Sequence, residues 1–322
     1  MNAARAVGLL LGVAADSVLG PPSRRHPVAE FGRLAAVSRW ALRRDSRVVS
    51  GAHAGILLGG ALLAGVAAER LGRRGPVLQA AGTGLATWAV LGGASLAAEG
   101  TAVARALDSS DLAAARHRLP YLSAGDPSTL STLDGAGLAR AAVESVAENT
   151  SDVVVGPLLW GAVAGVPGLL GYRVVQTLDG VAGVAGCNGR FAWALSRLDD
   201  LANLVPSRAA AALTAACAPV VGGSAPGAWQ VWRRDGAAHP RPNAGQVEAA
   251  FAGALEVRLG GRTVLAHGVQ ERPVLGHGRA PDAGDLTRGI ELSRVVGAAA
   301  AVASAILAVV IGARRSSRGR RR

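Results

Sequence analysis

Five stretches of this 322-residue chain contain no Asp, Glu, Lys or Arg: 50–68, 75–98, 153–172, 209–232 and 295–313. A helix needs about 20 apolar residues to cross the hydrocarbon core of a bilayer, and each stretch is near that length. Residues 6–19 form a sixth candidate, interrupted by Asp16, and residues 174–189 a seventh, interrupted by Asp179. The pattern predicts an all-α fold: a multi-pass integral membrane bundle of about five to seven helices with long polar loops. Half of the residues are apolar and only 17% are charged, too few charges for an ordinary soluble domain. The apolar mass is mostly Ala, Val, Leu and Gly, which lets helices approach closely in lipid. A soluble Ala-rich helical enzyme is the competing reading of the composition.

The segments differ in kind. Residues 50–68 and 75–98 read as a helical hairpin joined by the Arg-bearing turn 69–74, and 295–313 as the cleanest single helix. Stretches 153–172 and 209–232 contain Pro157, Pro167, Pro219 and Pro226, and proline removes a backbone donor, so these two are expected to be broken, re-entrant or buried against other helices. Residues 6–19 resemble a signal peptide superficially. Only Arg5 precedes them, however, and no convincing small-residue cleavage site follows, so they are expected to stay as a first helix.

All 34 basic residues are arginine, and six of them lie in 314–322. Seven more lie in 20–49; the positive-inside rule assigns both regions to the cytoplasm. A basic tail directly after an apolar segment fits anionic headgroups. No aromatic-interleaved basic motif points to nucleic acid. Cys187 and Cys217 stand apart in apolar surroundings and read as buried free thiols. The expected organisation is one membrane-embedded catalytic domain over 1–313, followed by a basic tail over 314–322, in the cell membrane.

Five constellations in the polar regions carry potential chemistry. In Arg140-Ala-Ala-Val-Glu144-Ser-Val-Ala-Glu148-Asn149-Thr150-Ser151-Asp152 the residues Arg140, Glu144 and Glu148 share one helix face. Two carboxylates one turn apart repel unless a cation or proton lies between them, and Mg²⁺ takes carboxylates together with phosphate oxygens. A solvated face with an ordinary Arg140–Glu144 pair is the alternative, but the stripe runs straight into an apolar stretch, where unpaired carboxylates are expensive. Arg173, Gln176, Thr177 and Asp179 interrupt an apolar segment; an acid at that depth is a functional candidate, or a partner for Arg173. Arg197-Leu-Asp199-Asp200-Leu-Ala-Asn203-Leu-Val-Pro206-Ser207-Arg208 can join a metal to a phosphate, or simply balance charge at helix ends. Pro242-Asn243-Ala244-Gly245, followed by Glu248, is turn chemistry before a helix. His26, in Gly20-Pro21-Pro22…His26-Pro27-Val28, is an acid–base candidate or a structural residue.

Together, in this order, these motifs resemble the cobalamin biosynthesis family CobD/CbiB, the adenosylcobinamide-phosphate synthases. The run from Leu133 to Pro157 is the most specific, supported by Tyr172–Gly180, Arg197–Arg208, Pro242–Leu255, Arg258–Gly261 and Arg272–Gly278. The family's Gly-Asp-Pro is Gly20-Pro21 here, its Asn-Thr-Leu-Asp-Ser is Gln176–Gly180, and its Arg-Asp is Gly125-Asp126. The resemblance implies ligation of adenosylcobyric acid to an aminoalcohol phosphate, typically 1-aminopropan-2-ol phosphate, driven by ATP with Mg²⁺. The corrinoid is a substrate, the bilayer is the setting, and other corrinoid-pathway enzymes are possible partners; nucleic acid is not.

That chemistry suggests roles. Glu148, Asp152 and Asp199 or Asp200 would hold Mg²⁺, and Arg197 and Arg208 phosphates. Asp179 or Glu144 would be the base, and Asn149, Asn203 and Asn243 would orient the substrate. Thr150, Ser151, Arg173, Thr177 and His26 would complete the substrate contacts. A membrane carrier or an assembly subunit for corrinoid intermediates is the rival reading; ATP consumption without a gradient separates a ligase from a secondary carrier.

Overall fold

The computed structural model describes residues 2–20, 47–122, 130–184, 190–265 and 268–319. His26, Asp126 and Cys187 lie outside these residues. Cys217 is a buried free thiol, as expected. The described helices are α1 (Asn2–Leu19), α2 (Arg47–Gly72), α3 (Pro76–Val90), α4 (Gly93–Asp108), α5 (Leu112–Arg118), α6 (Gly135–Asn149), α7 (Gly156–Ala164), α8 (Val166–Val184), α9 (Arg190–Cys217), α10 (Ala225–Asp235), α11 (Ala244–Leu255) and α12 (Ala283–Gly319). A π-helical turn, Thr150–Val155, joins α6 to α7. Strands β1 (Leu259–Leu265) and β2 (Gly268–Leu275) form an antiparallel hairpin, the one addition to the expected helical fold among the described residues.

Among the described residues, five helical stretches are long and apolar enough to cross a membrane: Asn2–Leu19, Gly51–Gly72, Pro76–Asp108, Trp193–Val221 and Ala283–Arg314. Large apolar side chains point outward along them, including Leu11, Ile56, Leu63, Leu85 and Ile306; a surface of that kind suits lipid contact. Stretches 50–68, 75–98 and 295–313 fall within these spans. Stretch 209–232 is divided: its first part completes the Trp193–Val221 span, and the rest enters α10 after Gly222 in the left-handed region. Stretch 153–172 is shared among the π turn, α7 and α8 and is not one of the spans. Pro167 falls in the first turn of α8, where no backbone donor is needed, whereas Pro157 follows directly on the π turn inside a continuous helical run. The break itself is at Gly165, with φ +70.

The chain forms two compact units. The first holds residues 1–92, 156–202 and 300–322. Here α1 packs on α3 through Gly8 and Gly12. A Cβ at Gly8 would lie 2.6 Å from Thr83 Cβ, and one at Gly12 2.4 Å from Thr87 Cβ. This is the small-xxx-small contact of membrane helices. Across the same unit runs a buried polar network. Arg5 donates to Glu69 (2.6 Å), Gln79 donates to the same carboxylate (3.1 Å), and the other Glu69 oxygen accepts the Val166 N–H (3.2 Å). The network ties α1, α2 and α3 to the first residue of α8. Gly165 must lack a side chain, because a Cβ there would lie 2.5 Å from Glu69 Oε2.

The second unit holds residues 93–155 and 203–299. In it α10 and α11 meet at Gly227 and Gly253, where a Cβ on Gly253 would lie 2.3 Å from the Gly227 carbonyl oxygen. The hairpin pairs Gly261 with Arg272 and Arg262 with Glu271, with an irregularity between Leu259 and Gly261. Gly260 and Gly261 take φ +71 and +82 there, as a bulge built on glycine requires.

Breaking the Glu69 network leaves Arg5 buried without its counter-charge, which costs about 3–5 kcal/mol. Glu69→Ala is therefore expected to lower the thermal unfolding temperature of detergent-solubilised protein markedly. The double variant Arg5→Met/Glu69→Leu is expected to recover most of that loss. Circular dichroism melts check both; an unchanged melt for Glu69→Ala would show that the pair does not hold the unit together.

Candidate active site

The acidic helix begins with a cap. Asp134 accepts the Gly137 N–H at 2.8 Å, satisfying an otherwise orphaned first-turn donor. From that start the 3.6-residue repeat aligns Arg140, Glu144 and Glu148, and the structure shows what the stripe faces. Glu144 Oε1 accepts the Gly260 N–H at 2.7 Å, and Oε2 lies 3.6 Å from the Arg272 guanidinium. The bulge in β1 interrupts the ladder at Gly260, so its N–H is available to the carboxylate. Arg140 donates to the Arg262 carbonyl at 3.4 Å. Glu148, one turn further, pairs with Arg241. The stripe thus keeps the Arg140–Glu144 pair of the alternative reading, at 4.0 Å, but is half-buried against the hairpin and the α10–α11 connection of the second unit rather than fully solvated.

Beyond Glu148 the helix widens into the π turn that carries Thr150, Ser151 and Asp152. Single π turns within helices frequently mark functional sites, because the extra residue redirects a side chain. Asn149 Nδ2 donates to the Leu122 and Ser145 carbonyls, both at 2.8 Å. The Thr150 hydroxyl lies 2.7 Å from the Val146 carbonyl oxygen and 2.7 Å from the Ser293 hydroxyl, and it is fully buried. Ser151 is buried too. Asn149 and Thr150 therefore hold the turn in shape, the buried Ser151 hydroxyl makes no hydrogen bond, and Asp152, like Asn149, is partly exposed.

Two motifs separated by 35 residues meet in the same unit. Arg208 and Ser207, on the second half of α9, donate to Asn243 Oδ1 at 3.3 and 3.2 Å. Asn203 is buried one turn earlier. Pro206 lies inside α9 without ending it. Asn243 begins α11, and the Gly245 that follows is needed for space, since a Cβ there would lie 2.4 Å from His239 Cβ. Gln246 ties the connection down by donating to the Gly236 and Pro242 carbonyls.

That connection carries His239 and Arg241 to the acidic stripe. His239 Nδ1 lies 3.1 Å from the Arg241 amide nitrogen and 3.0 Å from its carbonyl oxygen. His239 Nε2, buried, makes no hydrogen bond and lies 3.7 Å from Glu248 Oε2. Burial, reinforced by the charge of Glu144, pushes the Glu248 carboxyl up to about 8, against the opposing pull of Arg241 and Arg272. Burial lowers the His239 imidazole below its ordinary value. The pair is neutral at neutral pH. Nothing in the spacing of the sequence singles out His239, Arg241 or Arg272, and Glu248 stands there only as a residue after a turn.

The remaining candidates lie in the first unit. Arg173 donates to Gln176 at 2.7 Å, and Thr177 donates to the Arg173 carbonyl at 2.8 Å. Asp179 follows on the same helix. Arg197 pairs with Asp200 at 3.2 Å and lies over the Trp193 ring; Asp199 precedes Asp200 on α9. Among the described residues no three His, Cys, Asp or Glu side chains converge as a ready-made metal cage. Mg²⁺ does not need one, because one or two carboxylates serve when substrate phosphates and water complete the shell. Glu148 and Asp152, one turn apart on α6 and the π turn, fit that requirement.

A model of the CobD/Cbib protein family matches residues 9–293 of the chain. The cobalamin biosynthesis protein CobD of Mycobacterium tuberculosis is 54% identical over 305 residues, covering 94% of this chain and 96% of that protein. The proteins of the same name in Geobacter metallireducens and Chromobacterium violaceum are 39% and 38% identical. The first alignment covers 83% of this chain and 85% of the relative, the second 89% and 91%. No solved structure matches the chain.

The Glu248 carboxyl gives a stability prediction. Folded protein holds this proton up to about 8, whereas an ordinary Glu releases it near 4.5. Between those values the folded state binds more protons, so stability falls as pH rises. His239 acts in the opposite sense below its ordinary value, so the informative quantity is the difference from Glu248→Gln, which retains the histidine. The wild-type melting temperature is expected to drop relative to that variant by about 5 °C between pH 5 and 8.5. Parallel pH profiles would show that Glu248 ionises normally in the fold.

Proposed function

Because the chain belongs to the CobD/CbiB family of cobalamin biosynthesis proteins, we propose that it is an adenosylcobinamide-phosphate synthase seated in the cell membrane. It would join a propionate carboxylate of adenosylcobyric acid to the amine of an aminoalcohol phosphate, 1-aminopropan-2-ol phosphate being the substrate the family resemblance implies. The observation that carries the reading is the stripe Glu144–Glu148–Asp152, set against Arg241 and Arg272 within the second unit.

A carboxylate and an ammonium do not condense in water without activation. ATP would convert the corrinoid carboxylate to an acyl phosphate, releasing ADP. The deprotonated amine would then attack the carbonyl carbon, and inorganic phosphate would leave as the amide forms. Glu148 and Asp152 would hold Mg²⁺, which supplies charge neutralisation for the transferring phosphoryl group. Arginine suits the phosphates because its planar fork binds them through two parallel hydrogen bonds. Arg208 is held by Asn243, with Asn203 one turn before Ser207 on the same helix, and these residues would orient the reacting groups. Of the two carboxylates the sequence offers as base, Glu144 is engaged at both oxygens and would serve as a fixed charge, and Asp179 lies on α8 of the first unit. In the first unit, Arg173, Thr177 and Arg197 remain candidates for substrate contact.

The test is ligation by detergent-purified protein supplied with adenosylcobyric acid, 1-aminopropan-2-ol phosphate, ATP and Mg²⁺, with the amide detected by mass spectrometry. Product is expected only with ATP. Asp152→Asn is expected to lower turnover by about 100-fold or more, without loss of membrane localisation. Full activity in that variant would remove Asp152 from the site, and corrinoid binding without any product would favour a carrier or an assembly subunit.

A further inference from the structure

Arg241 and Arg272 are the reachable cations of the second unit's cluster. Their side chains are 62% and 37% exposed, and each already engages one carboxylate of α6. Beneath them His239 and Glu248 are almost completely buried, at 3% and 4% side-chain exposure. His239 Nε2 is directed at the carboxyl without a hydrogen bond to it. The arrangement is layered: a cationic rim accessible to solvent, and below it a buried acid and imidazole with almost no solvent contact.

We infer that Arg241 and Arg272 form a seat for a doubly charged phosphate or phosphate monoester, and that filling it draws a proton onto the His239–Glu248 pair below. The inference deepens the function proposed above, since it assigns the anion seat of the same cluster, and it rests on that reading only for the identity of the physiological phosphate.

The charges decide the direction. The groups acting on Glu248 come from three elements: Glu144 from α6, Arg241 from the α10–α11 connection and Arg272 from β2. His239 lies against it from the same connection. Of the other elements packed on α11, α10 carries Arg233, Arg234 and Asp235, and Asp235 is taken by Arg234 and the Gly276 N–H. Strand β1 carries Arg262, whose carbonyl accepts from Arg140. The two guanidiniums are thus the cations that favour an ionised Glu248. A dianion bound to them offsets that attraction and adds its own repulsion, so the carboxyl holds its proton more strongly. Binding near the titration range of Glu248 must then take up a proton from solution. Sharing between the acid and the imidazole gives the pair one proton to gain, whichever nitrogen of His239 carries hydrogen.

The experiment is calorimetric titration of inorganic phosphate into the detergent-solubilised full chain at pH 8.5, in two buffers of different ionisation enthalpy. At that pH free phosphate is already a dianion and contributes no proton change of its own. The difference in heat between buffers counts protons. Wild-type protein is expected to bind phosphate and take up roughly 0.7 proton per anion, because about a quarter of Glu248 already holds its proton at pH 8.5; sulfate, a dianion at every pH used, is expected to show the uptake falling towards none at pH 6.5. Glu248→Gln is expected to bind with the uptake abolished. Arg241→Gln/Arg272→Gln is expected to weaken binding about 10-fold or more. The inference is overturned if wild-type protein does not bind phosphate, if Glu248→Gln retains the uptake, or if the arginine variant binds undiminished. Should Glu248→Gln fail to fold, a wild-type series with sulfate, which stays a dianion from pH 6.5 to 9, decides alone: uptake that grows with pH supports the coupling, and none at any pH refutes it. Phosphate binding with uptake but no amide would leave this inference standing and sink the ligase reading. Amide formation without uptake would do the reverse.

Discussion

Glu69 organises the first compact unit. Its carboxylate receives Arg5 from α1, Gln79 from α3 and the N–H of Val166 at the start of α8. An ion pair in lipid is tolerated only when its remaining hydrogen-bonding capacity is filled by protein, because no water is at hand to fill it. Each partner therefore has to come from a different helix, and the requirement fixes their relative register. The break at Gly165 follows from the same demand. A helix start presents unsatisfied N–H groups, and here one of them is satisfied by the acid that also neutralises Arg5.

The second unit uses the same device for a different end. Glu144 is fixed by a backbone N–H released from the strand ladder at a glycine bulge, and by Arg272 from the paired strand. One turn later Glu148 meets Arg241 on a rim where both are partly exposed. The structural acid is thus locked, and the acid beyond it, like Asp152 on the π turn, is left where a ligand can compete for it. A helix that kept regular 3.6-residue winding through Thr150 would aim Asp152 differently.

Much of this was legible from residue order. The apolar stretches 50–68, 75–98 and 295–313 mark membrane spans. The alignment of Arg140, Glu144 and Glu148 follows from helical period alone. Where the chain breaks was less legible. Pro157 and Pro167 lie on either side of the interruption, the first just after the π turn and the second in the first turn of α8, and the interruption is at Gly165. Pro206 looks like a breaker and is accommodated within α9. Proline marks a lost donor, but whether a helix ends there depends on what else can satisfy the neighbouring carbonyl.

Sequence by itself determined the class of the fold, the family, the acidic stripe and the amide-bearing motifs, because these depend on local period and on residue types at short spacing. Tertiary structure decided which of those residues confront one another. His239 and Glu248 become a buried pair only because Gly245 lets the α10–α11 connection fold back onto α11. The β-hairpin brings both the Gly260 N–H and, across 128 residues, Arg272 to Glu144. Burial and charge contacts between distant segments leave no periodic trace in a chain, and they are what turns an ordinary glutamic acid into one that keeps its proton at neutral pH.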